Sequence, residues 1–312
     1  MKVAVLGGSG MLGSMVVDFL SRDHSSEVIA TVRASRLLEE FQDRCRGVEW
    51  RLLDADHCTL VDLTNVIDGF EWVINCIGVI KPHIHDDNPV ERERAVVVNA
   101  VFPHLLARAA ALTGAQVLQI ATDCVFSGQR GQYMEHDRHD ALDVYGKSKS
   151  LGEVPCYKIH HLRVSIIGPE PLRHVSLLDW FLDRPKGSSV QGYTNHRWNG
   201  ITTLHFARLC HGVITRQLRL PRVHHVVPID TVSKAELLGS VAENYQRGDI
   251  EVRASEAPAT VDRTLATSDS ILNRRLWEAA GYPQPPSVAR MVEELAQFDC
   301  RFRSELCIRR SH

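Results

Sequence analysis

At 312 residues and 35.0 kDa the chain is long enough for about two domains or one large α/β unit, and area scaling lets it bury about 74% of its unfolded surface without disulfide or metal staples. Its 36 Lys+Arg against 38 Asp+Glu leave a net charge of −2, which excludes the basic footprint of a nucleic-acid binder and the polybasic patch of a membrane-surface protein. Hydrophobic residues at 44% and charged residues at 24% match an ordinary globular composition.

In chain order, residues 2–6 form a short apolar run, followed by Gly7, Gly8, Ser9 and Gly10. A helical stretch over 11–20 comes next, with Leu12, Val16 and Leu20 on one face. Strand-like runs recur at 28–32, 48–53, 72–75, 117–120 and 162–167. Between them, Val97, Val101, Leu105 and Ala109 give 89–112 a helical spacing. Strands separated by helices predict crossover connections and a parallel sheet covered on both faces. Beyond residue 168 the patterning weakens. A short helix is predicted near 176–182, a strand over 223–227, and helices over 202–218, 233–245, 268–280 and 287–298.

No apolar run approaches 18 residues, so no membrane-crossing helix is expected. The opening run is too short, and too soon followed by glycines, to read as a signal peptide. Eight cysteines are scattered without a Cys-x-x-Cys pair. The expectation is a reduced, cytoplasmic protein without a disulfide framework.

Gly7, Gly10 and Gly13 fall at Gly-x-x-Gly-x-x-Gly spacing between a predicted strand and a predicted helix. The first glycine suits a tight turn and the second a close backbone approach to a pyrophosphate. The third lets helix and strand pack closely, with the helix N-terminus aimed at the anion. Ser9, Met11 and Leu12 belong to the same candidate cofactor loop. At the tip of the second strand, where an acid would bind an NAD ribose, the chain has Arg33, with Arg36 nearby. A guanidinium suits a 2′-phosphate, so NADPH is expected, with NADH as the alternative. Asp54, after the third strand, is a candidate acceptor for the adenine amino group.

Tyr145 and Lys149 stand four residues apart, on one face of a helix. A ketone accepting a hydride needs a proton. A phenol supplies one only when its pKa, about 10 when free, is brought toward working pH. An adjacent ammonium favours the phenolate, so Lys149 is expected to lower the Tyr145 pKa and to hold the nicotinamide ribose. Thr122, at the end of the fifth strand, is placed to hydrogen-bond the substrate oxygen.

The runs Ala121-Thr122-Asp123-Cys124-Val125-Phe126-Ser127-Gly128, Tyr133-Met134-Glu135 and Tyr145-Gly146-Lys147-Ser148-Lys149-Ser150-Leu151-Gly152-Glu153 resemble the extended short-chain dehydrogenase/reductases, and within them the dTDP-4-dehydrorhamnose reductase branch. The glycine loop, Asn75-Cys76-Ile77-Gly78, Asn99, Leu162-Arg163-Val164-Ser165 and Ser233-Lys234 extend the resemblance over nearly the whole chain. It implies an α/β fold: a Rossmann doubly wound parallel sheet over 1–168, rejoined by part of 198–230, and a smaller mixed α/β nucleotide-sugar domain over 169–312. It also implies a Thr122, Tyr145, Lys149 catalytic triad, adds Cys76, Ile77 and Gly78 to the cofactor set, and places Asp123 and Cys124 by the sugar.

Two departures bear on that sugar pocket. Cys124 stands where the family commonly has Tyr, and Ile166 replaces an aromatic residue. The segment 194–200 also differs from the rhamnose pathway enzyme. In GDP-fucose synthase-like relatives a Cys at this offset acts as acid/base in epimerisation; the plain alternative is a small buried residue. The dehydratase branch carries Glu there, which this chain lacks. Arg197 is a candidate partner for a substrate pyrophosphate, and Trp198 suits a core position better than a base stack. None of the 16 histidines comes with zinc-site spacing, so no metal is expected. The combined reading is an NADPH-dependent reductase of a keto group, at C4, on a nucleotide-activated deoxysugar. An epimerase or epimerase-reductase using Cys124, and a non-catalytic regulatory subunit, are the alternatives. The expected partner is a nucleotide sugar, with no nucleic acid or membrane, and a homodimer is left open.

Overall fold

The computed structural model describes residues 1–302; Cys307 lies outside them. The strands are β1 (Lys2–Leu6), β2 (Glu27–Val32), β3 (Glu49–Leu52), β4 (Trp72–Asn75), β5 (Gln116–Ala121), β6 (Ile159–Arg163), β7 (Ile166–Ile167), β8 (Ser189–Tyr193), β9 (His196–Trp198), β10 (Ile201–Thr202), β11 (Val223–His225), β12 (Val232–Ser233), β13 (Glu251–Ser255) and β14 (Val261–Asp262). The helices are α1 (Met11–Leu20), α2 (Ser35–Arg44), α3 (Leu60–Ile67), α4 (Pro89–Val96), α5 (Phe102–Thr113), α6 (Val144–Leu151), α7 (Leu177–Leu182), α8 (Thr203–Thr215), α9 (Lys234–Asn244), α10 (Ser270–Ala279) and α11 (Val288–Gln297).

Seven strands form one parallel sheet in the order β11-β6-β5-β4-β1-β2-β3. Residues 3–6 and 28–32 are buried throughout. That explains their continuous apolar reading, since helices cover both faces. α8 packs on α1 over one face, and α3 on α5 over the other, each above its own apolar cluster. The strand order reverses about β1, which opens a crevice at the carboxyl ends of β1 and β4.

Two expectations need correction. The strand read over 162–167 is broken: β6 ends at Arg163 in the main sheet, and β7 pairs with β10 in a separate two-stranded sheet. The break falls at Val164 and Ser165. Val164 N–H still reaches Ala121 O at 3.4 Å, while Ser165 O accepts from Ile201 N, turning the chain toward the second half. The helix read over 89–112 is interrupted by a π-turn at Val97–Val101. Together with its flanks, Pro89–Thr113 is 25 residues and contains an 18-residue window of mean hydropathy 1.6, long and apolar enough by composition to cross a membrane. Here 56% of that window is buried inside the fold.

The second half adds small sheets, β12-β9-β14 and β13-β8, beside α7, α9, α10 and α11. The chain then returns to its beginning. Arg301 N–H donates to the buried Asp18 at 2.8 Å, and Phe302 stacks on Phe41 with centroids 5.3 Å apart. Cys45, Cys58, Cys76, Cys124, Cys156 and Cys210 are free thiols.

Candidate active site

The glycine loop is shaped by its own backbone. Gly7 takes a φ of +81°, a conformation open to glycine. Its N–H donates to Thr31 Oγ1 at 2.9 Å, and Gly8 N–H donates to Thr31 O at 2.8 Å. A Cβ on Gly13 would lie 2.1 Å from Gly7 O, so only glycine lets α1 start this close to the turn. No acidic residue occupies the first turn of α1, leaving its N-terminal donors and dipole free for an anion.

A cleft of about 540 Å³ opens from this loop across the ends of β1, β4 and β5. Gly7, Ser9, Gly10, Met11 and Leu12 line it, with Arg33, Asp54, Cys76, Ile77 and Gly78. Gly13 does not line it and acts through packing. At the other end stand Thr122, Asp123, Cys124, Tyr145 and Lys149. Arg197 is not a lining residue; its guanidinium donates to Thr231 O at 3.2 Å, outside the cleft. Trp198 also stays outside, its indole N–H donating to Ser165 Oγ at 2.9 Å.

The end of the cleft that carries Thr122, Tyr145 and Lys149 is held by a stitched framework. Asp143 caps α6 by accepting from Gly146 N–H at 2.7 Å, and its other oxygen accepts from Lys81 Nζ at 2.5 Å. Asn99 sits in the π-turn, which aims its amide sideways. Its Oδ1 accepts from Val79 N–H at 2.8 Å, while its Nδ2 donates to Val79 O and to Ser148 Oγ. Thr122 Oγ1 accepts from Cys124 N–H at 3.1 Å and donates to Asp123 Oδ1 at 3.2 Å. The Thr122 side chain acts on Tyr145 in the sense that favours the phenolate.

The electrostatics differ from the sequence expectation. Burial, and then the charges of Cys124, Asp123 and Asp143, push the Tyr145 phenol above its usual range. Lys149 does not offset this. Burial brings its ammonium down to about 8, and it donates to Ile120 O at 3.1 Å. The Cys124 thiol is pushed up to about 12, by burial first and Asp123 second. Burial raises the Asp123 carboxyl as well. A protonated phenol therefore faces the cleft.

Lys81, His83, Arg94 and Arg173 also line the cleft. None of the four is singled out by the sequence as a ligand group. Arg263, outside the lining, donates to Phe126 O at 2.9 Å and acts electrostatically on Asp123.

A doubly wound parallel sheet with a glycine turn in its first βα connection is the Rossmann arrangement. Within that class the chain belongs to the family described as RmlD substrate binding domain, whose profile matches residues 1–167. It is 26% identical over 157 residues to a dTDP-4-dehydrorhamnose reductase of Mycolicibacterium smegmatis, covering 49% of this chain and only 40% of that protein. It is 25% identical over 257 residues to methionine adenosyltransferase 2 subunit beta of Danio rerio, covering 78% of this chain and 74% of that one. Among solved structures, a dTDP-4-dehydrorhamnose reductase of Bacillus anthracis in complex with NADP superposes with a TM-score of 0.69 at 20% identity, over 94% of this chain and 98% of that one. That likeness establishes the shared fold.

Proposed function

We propose that the chain is an NADPH-dependent reductase of a keto group, at C4, on a nucleotide-activated deoxysugar. The observation that carries this reading is the convergence of Thr122, Tyr145 and Lys149 at one end of a cleft whose other end holds the glycine loop and Arg33. Residues 1–168 would serve the cofactor and residues 169–312 the sugar nucleotide, in a cytoplasmic protein.

The residues present fit a nicotinamide dinucleotide. Free N–H groups at the start of α1 suit a pyrophosphate, Asp54 lines the adenine end, and Arg33 offers a guanidinium where a 2′-phosphate would lie. When bound, the nicotinamide supplies the hydride. Tyr145, kept protonated by burial, donates its phenolic proton to the substrate oxygen as negative charge develops there. Thr122 orients that oxygen, and Lys149 provides the nearby positive charge. Lys81 holds Asp143, and so the start of α6, in register with the cleft. The Cys124 thiol, at about 12, is a poor base at neutral pH, which supports reduction without epimerisation.

A second reading, a non-catalytic subunit on the same fold, is favoured by the similarity to methionine adenosyltransferase 2 subunit beta. The complete Thr122, Tyr145 and Lys149 set supports turnover instead. A panel of nucleotide-linked 4-keto sugars, assayed with NADPH by loss of nicotinamide absorbance, separates the two. Oxidation with one member supports the reductase; tight NADPH binding with no oxidation across the panel supports the subunit.

A further inference from the structure

The loop between β7 and α7 is a built object at the rim of the cleft. Its base is closed by Ser176 Oγ donating to Gly168 O at 3.2 Å. Inside it, the buried Glu170 carboxylate accepts from Val175 N–H at 2.7 Å, and Glu170 N–H donates to Asp179 Oδ2 at 2.8 Å. His174 takes a φ of +55° and is pinned by its Nδ1 to Asp179 at 3.1 Å. A non-glycine residue in that region is strained, and strain of this kind persists where the surroundings fix it. The outcome of this bracing is the placement of Arg173. Its guanidinium is exposed, lines the cleft and donates to His83 Nε2 at 3.3 Å, reaching the loop after β4.

Arg173 arrives beside other positive groups. Its charge and that of Arg94 both act on the Arg33 guanidinium, which burial already disfavours. Arg94 is neutralised by Asp56 at 2.9 Å. Among the described residues no carboxylate makes a hydrogen bond or ion pair with Arg33 or Arg173. Asp54 and Asp56 offset part of this repulsion at Arg33 without bonding to it, and two guanidiniums lining one cleft with no bonded carboxylate favour an anion between them.

We propose that residues 168–176 form a cofactor strap: Arg173 joins Arg33 on the 2′-phosphate of NADP(H), so that the phosphorylated dinucleotide ties the loop down across the cleft. This rests on the nicotinamide-dinucleotide reading above and adds a residue from outside the glycine-loop half. NADH, lacking that phosphate, binds without engaging the strap.

The test is a binding titration of the full chain with NADPH and with NADH, followed by fluorescence, in the parent and in Arg173→Ala. The substituted side chain is exposed, so the fold is not at stake. NADPH affinity is expected to fall about tenfold or more, the worth of a charge-assisted hydrogen bond, with NADH affinity unchanged. Hydrogen exchange of the parent should show residues 168–176 protected by NADPH and not by NADH. Equal losses for both dinucleotides, no loss for NADPH, or equal protection by both would overturn the strap while leaving the reductase reading standing. Failure of the parent to bind either dinucleotide would overturn both.

Discussion

Arg163, at the end of β6, donates to both carboxylate oxygens of Glu153, just beyond α6, at 2.9 and 2.6 Å. Both side chains are almost fully buried. The same guanidinium donates to His225 Nε2 at 2.5 Å and to His139 Nε2 at 2.9 Å, and lies over the Phe126 ring at 5.3 Å. Removing one member strands a buried charge, which costs about 3–5 kcal/mol. Arg163→Met should therefore lower the urea midpoint strongly, and adding Glu153→Met should recover part of the loss. An unfolding free energy within about 0.5 kcal/mol of the parent for Arg163→Met, the usual range of a surface change, would show that the pair does not hold the sheet to α6.

The buried histidines should make stability depend on pH. Burial brings His161 and His225 down to about 4 and lowers His139, His205 and His224. His225 accepts from Arg163 at one nitrogen and donates from the other to Ala266 O at 2.7 Å, so a further proton would face a guanidinium. Between pH 6.5 and 4 the unfolded chain binds protons that the folded chain refuses. The contribution is thus complete above 6.5 and lost as pH falls toward 4, on the order of 3 kcal/mol for each of the two deepest histidines. Glu135, held at about 2, acts in the same direction only below about 4.5. Thermal midpoints measured from pH 8 to 4.5 should be level at first and then drop; a flat profile contradicts this account.

Much of the site was legible because its parts are local. Tyr145 and Lys149 share one helix turn, Thr122 ends a strand with a clear apolar run, and the glycines fall in one βα connection. The small sheets were not legible. β7, β9, β10, β12 and β14 have two or three residues each, too few to show a period of two. Lys81 and Asp143 are 62 residues apart, and His83 and Arg173 are 90 apart. Nothing in the local pattern at either position announces its partner. The lowering of the Tyr145 pKa was expected from spacing alone, yet proximity along a helix does not set where the ammonium points. Lys149 turns to Ile120 O.

Cys124 separates reduction from epimerisation. Its thiol, pushed up to about 12 by burial and then by the neighbouring Asp123, stays protonated at neutral pH. Cys124→Ser should keep reductase turnover within a few-fold of the parent. Product formed in deuterated water should carry no solvent deuterium at C3 or C5. Deuterium at either carbon, lost in Cys124→Ser, would assign the thiol a catalytic part and overturn reduction alone.

Tyr145→Phe isolates the proposed proton donor. The ring keeps its place beside Val144 and the cluster of Val79, Ile84, Ala95 and Val98, so the cleft and the glycine loop should be unaltered. What disappears is the phenolic hydroxyl. Proton donors of this kind contribute about 10²–10⁴-fold to rate. Turnover should fall by that factor while NADPH affinity stays within about twofold, because the loss is confined to the transition state. Thr122→Val removes only the orienting hydroxyl and should cost less. Near-parent turnover in Tyr145→Phe would remove Tyr145 from the mechanism and point to another group at this end of the cleft as the donor, with the buried Asp123 the first to be replaced.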